Sequence, residues 1–154
     1  MPARVVESLE ELQQLVGREI TVTDWLTITQ ERIQQFAEAT EDRQWIHVDR
    51  ERARLESPYG TTIAHGFLTL SLLSHFIKQA IDFRGAVRMG VNYGLNRVRF
   101  PAPVPAASRI RARVTLQSLK ELPGAVEATF AVVVEGEKGG KPCSVAEWIV
   151  RYYL

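Results

Sequence analysis

The feature that most limits the fold is an apolar segment near the middle of the chain, residues 65–81, which reads HGFLTLSLLSHFIKQAI. Large apolar side chains fall on nearly all sides of a helix drawn through it, and Lys78 is its only side chain with a fixed charge. A helix that is apolar all round is a buried one. The segment is therefore predicted to be a central helix that the rest of the chain must cover.

Strands predicted after this helix supply the cover. They span residues 86–100, 108–119, 125–137 and 141–153. In the second of them Ile110, Ala112 and Val114 alternate with arginines, which is typical of a strand with one face on the core. With an earlier strand in residues 19–29, the prediction is an α+β fold. Its curved antiparallel sheet of about five strands wraps around the long buried helix.

The first forty residues also predict two capped helices. Ser8, with a glutamate three residues later, forms a capping box that opens a short helix ended by Gly17. Thr29 is predicted to cap a second helix that ends near Thr40. Both signals are local, so they fix where the helices begin without saying what they pack against.

Composition narrows the classes of function. The 154 residues suffice for one domain with its own core, and we expect a single domain over residues 1–154. Nineteen basic and eighteen acidic residues argue against a nucleic-acid partner. No run of about 18 apolar residues occurs, so no membrane span is expected. The single cysteine, Cys143, agrees with a reducing compartment, and we expect a cytoplasmic protein.

The segment before the central helix carries most of the reactive side chains. Helical and strand periodicity both fail across residues 41–62, which predicts a long ordered loop. Asp42 and His47 lie five residues apart in it, and His65 and Gly66 follow at the helix start. A carboxylate and an imidazole there can share one water molecule, and free N–H groups at a helix start can stabilise an oxyanion. Spacing alone leaves a second interpretation open, with Asp42 a turn residue and His47 a structural histidine.

Three separated motifs resemble the MaoC-like dehydratases and (R)-specific enoyl-CoA hydratases. FAEATEDRQWIHVDRERA, residues 36–53, is similar to their hydratase signature and keeps its aspartate and histidine. IAHGF, residues 63–67, is similar to the family's entry to its central helix. FPAPV, residues 100–104, resembles a strand end of the family. The run NYGLN, residues 92–96, is similar to the nodulation-protein-N-like branch.

The signature is altered at three positions. Glu41, Gln44 and Trp45 stand where the family's pattern has glycine, asparagine and proline. The catalytic pair is kept, so the chemistry is carried over. The changed loop leaves the identity of the substrate open.

The resemblance implies a hot-dog fold and a lyase that reversibly adds water to a 2-enoyl-CoA, giving an (R)-3-hydroxyacyl-CoA. It implies that Asp42 and His47 are catalytic, with the backbone N–H of Gly66 polarising the thioester oxygen. The substrate would be carried by coenzyme A or an acyl carrier protein, and no cofactor is implied. A homodimer is expected too, because an uncovered sheet edge invites pairing.

Further residues are candidate substrate contacts: Trp45, His65, Asn92, Tyr93, Arg97 and Arg99. The two arginines, with Arg109, Arg111 and Arg113, form either a solvated sheet face or a site for coenzyme A phosphates. His65 has a second interpretation as a structural hydrogen-bond donor, and His75 is predicted to be a core or dimer-contact histidine. A metal site of His47, Asp49 and His65 lacks ligand spacing, so no metal is expected.

Two rival functions use the same ligand class. Thioesterases of this fold often carry an acidic residue in the central helix, and residues 65–81 contain no aspartate or glutamate. The other rival is a non-catalytic acyl-thioester-binding protein, against which the retained Asp42 and His47 argue. A hydratase or dehydratase is the function that the sequence favours.

Overall fold

Short elements make up the first third of the chain in this computed structural model, which describes residues 2–154. In chain order they are β1 (Arg4–Val6), α1 (Leu9–Gln13), β2 (Arg18–Val22), β3 (Leu26–Thr27), α2 (Gln30–Thr40), α3 (Trp45–Val48) and α4 (Arg50–Glu56). The two predicted caps are confirmed, since the side chains of Ser8 and Thr29 accept hydrogen bonds from the amides of Glu11 and Arg32.

Two helices and the longer strands follow. They are α5 (Gly66–Ser71), α6 (Leu73–Ala80), β4 (Ile81–Phe83), β5 (Met89–Arg99), β6 (Arg109–Leu122), β7 (Ala125–Gly136) and β8 (Ser144–Tyr153). The main sheet has the order β2-β6-β7-β8-β5, with β3 also paired to β6, and its pairs are antiparallel. The predicted antiparallel sheet is confirmed. No helix within residues 2–154 is long and apolar enough to cross a bilayer.

The core lies between the sheet and the helices. Alternate residues of β6, β7 and β8 are buried on one face, as the two-residue period predicts. Phe76 of α6 is fully buried, as are Phe130 of β7 and Ile33 of α2. The sheet therefore packs against the central helices on its inner face, and the side chains of its outer face are partly or fully exposed.

The central helix is buried on one side only, so the prediction of an all-round buried helix is wrong. Phe67 is 68% exposed, and Ser71, Ser74, His75 and Lys78 are also exposed. These residues recur at helical spacing and form one face. The sheet covers the opposite face, which apolar composition alone cannot distinguish. His75 is consequently not a core histidine, although a role at a dimer contact stays a prediction.

A small parallel sheet was not predicted. β1 pairs with β4, with Arg4 opposite Ile81 and Val6 opposite Phe83, directly after the central helix. Strands of three residues carry too little alternation to be detected. The predicted strand over residues 19–29 is in fact divided into β2 and β3, both of which pair with β6.

Strand β5 forms one edge of the main sheet and is exposed along nearly its whole length. Within the described residues it pairs with β8 alone, so its other edge is open. Several of its exposed side chains are large and apolar: Met89, Val91, Tyr93 and Leu95. The unpaired N–H and C=O groups of such an edge are open to pairing with another strand.

Candidate active site

One cleft of about 500 Å³ brings together four of the predicted site residues. It is lined by Phe36, Thr40, Asp42, His47, His65, Gly66, Phe67 and Phe100. Its wall combines a carboxylate and two imidazoles with three aromatic rings. The cleft therefore pairs an acid–base group with an apolar enclosure, which is the usual composition of a small-molecule site.

Asp42 lies just after the end of α2. Glu41, the residue before it, has φ +65° and so adopts the left-handed conformation, which favours glycine. This is the position where the family signature has glycine. The Asp42 side chain is 54% exposed, and its Oδ1 accepts a hydrogen bond of 3.4 Å from the amide of Gln44. The turn at Glu41 thus directs the chain so that Asp42 reaches the cleft.

His47 lies on the one-turn helix α3 and is buried. Its Nδ1 is 2.7 Å from the backbone oxygen of Ile63. A carbonyl oxygen only accepts, so Nδ1 carries the hydrogen and Nε2 of the neutral ring is bare. Burial lowers the pKa of His47 below its ordinary value of 6.5, and the neighbouring His65 lowers it further. The hydrogen bond to Ile63 and the charge of Asp42 act in the opposite direction.

The backbone around His47 is held by residues that sequence reasoning missed. Gln30, at the start of α2, donates from Nε2 to the backbone oxygen of His47 at 2.7 Å. The hydroxyl of Thr62 donates in turn to Oε1 of the same glutamine. Ile63 adds a bond from its amide to the backbone oxygen of Ile46, at 3.0 Å. These partners lie 16 or more residues from the segment they hold, so no local pattern reveals them.

His65 contacts both members of the predicted catalytic pair. Its Nε2 lies 2.9 Å from the backbone oxygen of Asp42 and 4.0 Å from the carboxylate oxygen Oδ2. Its ring stacks on that of His47, with centroids 3.7 Å apart and planes 22° apart. Phe36 packs on it from another side, at 4.9 Å. Only 3% of His65 is exposed, so little of its surface faces the cleft.

Gly66 is the first residue of α5, and the first N–H groups of a helix have no intrahelical acceptor. The ring of Phe100 covers this glycine closely. A Cβ on Gly66 would lie 2.9 Å from Cδ2 of Phe100, closer than real contacts allow. The sequence Phe-Pro that follows β5 thus places an aromatic wall against the glycine, and the two residues shape the cleft together.

The other predicted contacts lie outside this cleft. Trp45 stacks on the guanidinium of Arg52, 4.3 Å from the ring centroid. Asn92 accepts a hydrogen bond of 3.0 Å from Nε1 of Trp148 and lines a neighbouring groove of about 270 Å³. Tyr93 borders the same groove. The guanidinium of Arg151 covers the ring of Tyr93 in the same way, 3.8 Å from the ring centroid. One face of each ring, in Trp45 and in Tyr93, is therefore already covered by an arginine.

The arginines divide into two groups. Arg109 and Arg111 form ion pairs with Glu137 and Glu135, at 2.8 and 2.6 Å, and Arg113 also pairs with glutamates. These three fit the solvated-face interpretation. In the part of the chain that the structure describes, Arg97 and Arg99 have no carboxylate partner. Of the five arginines, Arg97 and Arg99 therefore remain the candidates for binding the phosphates of coenzyme A.

Asp42, His47 and His65 also form the one group of possible metal ligands found in residues 2–154, with ligand atoms within 4.8 Å of one another. Asp49 is not in it and instead caps α4 through the amide of Arg52. Imidazole lone pairs lie in the ring plane, and stacked rings direct them side by side instead of toward one point. The stacking of the two histidines therefore does not favour metal ligation.

Comparison with known proteins identifies the family. Residues 11–137 match the family model described as MaoC like domain. The chain belongs to the MaoC-like dehydratase family. The match covers most of the chain, including every residue of the cleft, and it confirms the resemblance carried by the three motifs.

Two named relatives of this MaoC-like chain align over most of their length. The 3-hydroxyacyl-thioester dehydratase Z of Mycobacterium tuberculosis is 51% identical over 150 residues, covering 97% of this chain and 98% of that protein. Nodulation protein N of Rhizobium leguminosarum bv. viciae is 46% identical over 149 residues, covering 92% and 89%. The second similarity confirms the nodulation-protein-N-like branch.

Solved structures confirm the hot-dog fold of this family member. An R-hydratase from Pseudomonas aeruginosa superposes with a TM-score of 0.67 at 23% identity, covering 88% of this chain and 79% of that one. The monoamine oxidase regulatory protein from Archaeoglobus superposes with a TM-score of 0.77 at 24% identity, covering 99% and 98%. At these identities the likeness concerns the fold alone.

Proposed function

We propose that this MaoC-like protein interconverts a 2-enoyl thioester and an (R)-3-hydroxyacyl thioester by adding or removing water. One observation carries the proposal: the Asp42 carboxylate and the bare Nε2 of His47 meet in one cleft, beside the first amide of α5. Adding water to a conjugated double bond needs a base, an acid and a stabiliser of the enolate oxygen. Asp42, His47 and Gly66 supply these three groups.

In the dehydration direction, Nε2 of His47 removes a proton from C2 of the substrate. The C2–H electron pair forms the enolate, whose oxygen accepts a hydrogen bond from the Gly66 N–H. The C3–O bond then breaks as Asp42, which starts as the carboxylic acid in this direction, passes its proton to the departing hydroxyl, which leaves as water. Hydration runs through the same steps in reverse. Between turnovers the proton that His47 has gained returns to Asp42, which restores the starting protonation state of the pair.

The protonation state of His47 supports its role as the base toward C2. Burial lowers its pKa below 6.5, so the imidazole is neutral at neutral pH. The bond to Ile63 places the remaining hydrogen on Nδ1. The lone pair on Nε2 is therefore free to accept a proton without a prior deprotonation step.

The acyl chain has a suitable path beside the cleft. A groove runs between the helices and β5, lined by Leu70, Ser74, Leu95, Asn92 and Trp148 among others. We propose that the acyl chain follows this groove, with Tyr93 at its border and Trp45 near the loop that bears the catalytic pair. Arg97 and Arg99 would face the phosphates of coenzyme A or of a carrier-protein arm. The thioester named for the mycobacterial relative is of this class.

We further propose that the working form is a homodimer joined at β5. The open edge of this strand carries Val91 and Leu95, which are 45% and 44% exposed, and the helix face with Phe67 continues the same surface. A second copy would cover these side chains and extend the sheet. The cytoplasmic location expected from the sequence remains part of this proposal.

A crotonyl-CoA assay separates this function from its rivals. A hydratase consumes the absorbance of the conjugated double bond and releases no thiol, whereas a thioesterase releases free coenzyme A. A non-catalytic binder does neither. Asp42→Asn should slow the absorbance change by about 10²- to 10⁴-fold, while the matched control Asp82→Asn, which only loses an exposed ion pair with Arg84, should not slow it. Thiol release at the rate of absorbance loss would contradict the proposal.

A further inference from the structure

We propose that His65 is a positioning residue that holds Asp42 and His47 at a fixed distance and orientation relative to each other. This inference rests on the function proposed above. It neither gives nor takes a proton in the reaction. Instead, one edge of its ring fixes the backbone of Asp42, and one face supports the imidazole of His47. A single buried side chain therefore sets the distance between the two reacting groups.

The loop that bears Asp42 has few other restraints. Residues 41–44 are all exposed, and the ion pair between Glu41 and Arg43 lies within the loop itself. The hydrogen bond from Gln44 to the Asp42 side chain is also local and long, at 3.4 Å. Among the described residues, the bond of 2.9 Å from His65 to the Asp42 carbonyl is the hydrogen bond that ties residues 41–44 to the central helix. Losing it would free the loop from the start of α5.

The ring of His65 is itself fixed by its neighbours. It lies between Phe36, at 4.9 Å, and His47, at 3.7 Å, and is almost fully buried. The Asp42 carbonyl can only accept, so Nε2 of His65 must donate. Its Nδ1 is buried and has no hydrogen-bond partner within residues 2–154. Within these residues Nε2 therefore makes the hydrogen bond of this side chain, and its acceptor is the backbone oxygen of Asp42.

Position matters because an acid–base pair works only in near-attack geometry. A misplacement of about 1 Å can cost about 100-fold in rate even when the displaced group is chemically intact. His65 restrains His47 against movement across its ring face, while Ile63 restrains it at Nδ1. The same side chain restrains the Asp42 backbone. Its removal should therefore lower turnover much more than substrate binding.

Two substitutions separate the donor from the ring. His65→Gln keeps an N–H donor, because the amide nitrogen of glutamine is as many bonds from Cα as Nε2 of histidine is. It loses the aromatic face. His65→Phe keeps the face and loses the donor. We expect His65→Phe to lower kcat for crotonyl-CoA hydration by about 10- to 100-fold with KM nearly unchanged, the usual effect of removing a supporting partner. We expect His65→Gln to recover most of that loss. Asp82→Asn, which only loses an exposed ion pair with Arg84, is again the control.

Hydrogen–deuterium exchange gives a readout that does not need activity. In His65→Phe the amides of residues 41–46 should exchange faster, while those of β6 to β8 are unchanged, and in His65→Gln they should stay protected. If the wild-type protein hydrates nothing, the proposed function fails and this exchange pattern still decides the role of His65. The inference is overturned if folded His65→Phe keeps wild-type kcat and wild-type exchange. It is equally overturned if folded His65→Gln has as low a kcat as His65→Phe. If His65→Phe does not fold, a kcat of folded His65→Gln more than about tenfold below that of the wild type overturns it.

Discussion

Nδ1 of His47 donates to the backbone oxygen of Ile63 at 2.7 Å, and this bond determines which nitrogen of the imidazole is free to react. Ile63 belongs to the segment that leads into α5, so the free nitrogen and the helix start are fixed by one stretch of chain. The tautomer of the proposed base is thus a property of the fold. The predictions below depend on this arrangement and on the surfaces around it.

Removing either member of the catalytic pair should leave the fold intact and lower turnover. We expect Asp42→Asn and His47→Ala each to reduce kcat for crotonyl-CoA hydration by about 10²- to 10⁴-fold, the usual worth of a positioned acid or base. The double variant should be hardly slower than either single one, because the pair acts as a unit. Circular dichroism checks the fold. Near-native rates in both single variants would return Asp42 to a turn residue and His47 to a structural histidine.

The pKa of His47 predicts how rate and stability depend on pH. It is lowered on folding, so the unfolded chain binds more protons than the folded one between the folded-state pKa and 6.5. The contribution of His47 to stability is therefore full above pH 6.5 and is lost as pH falls through the folded-state value. The acid limb of kcat/KM for dehydration should also have its midpoint below pH 6.5. Urea unfolding across pH 4–7 checks the first point, with His47→Gln as the variant that removes this contribution.

Gly66 should not tolerate a side chain. Gly66→Ala places a Cβ 2.9 Å from the ring of Phe100, and the resulting overpacking should destabilise the fold by about 1–3 kcal/mol and lower turnover. Gly94→Ala is the matched control, since a Cβ there meets nothing within 4 Å. Adding Phe100→Leu to Gly66→Ala should recover stability. Equal melting temperatures for the Gly66 and Gly94 variants would show that Phe100 moves aside at no cost.

Arg97 and Arg99, which have no carboxylate partner within residues 2–154, should affect binding of the thioester carrier. Arg97→Gln and Arg99→Gln are each expected to raise KM for an acyl-CoA by up to about fivefold with kcat unchanged, as for an exposed contact of about 1 kcal/mol. KM should rise with salt in the wild type, because such contacts are screened. Arg109→Gln, whose guanidinium is already paired with Glu137, serves as control. A KM that is independent of salt would assign Arg97 and Arg99 to a solvated face.

Strand β5 should mediate association. Light scattering is expected to give twice the 17.4 kDa of one chain at micromolar concentration. Leu95→Glu should shift the protein toward the monomer, because it places a charge in the covered apolar surface. Leu55→Glu, at an apolar residue of α4 that is 66% exposed, should not. A wild-type monomer would contradict the proposed assembly.

Structural features that depend on residues close together in the chain could be predicted from the sequence. The caps at Ser8 and Thr29 and the alternation along β6 depend on side chains a few positions apart, and they were confirmed. The exposed face of the central helix was missed because composition does not say which side a sheet will cover. The β1–β4 pair was missed because its strands are short and about 75 residues apart in the chain.

In the site, too, features that depend on neighbouring residues were predictable, and contacts between distant segments were not. Asp42, just after α2, and His47, on α3, are only five residues apart, so their proximity followed from their spacing and from the resemblance. The support of that loop comes from elsewhere: Gln30 on α2 and His65 at the start of α5 hold it by hydrogen bonds. Phe100 reaches Gly66 only through the path of β5. Such contacts are products of the tertiary fold, and a single sequence carries no separate signal for them.

The left-handed backbone at Glu41 has a consequence for how this protein can change over generations. A residue with a Cβ costs roughly 1–2 kcal/mol in that conformation, and glycine does not. Selection for heat tolerance would therefore find an easy gain at position 41, one residue from the carboxylate that it must not disturb. With glutamate at this position, the protein has a lower free energy of unfolding and therefore tolerates fewer other destabilising mutations.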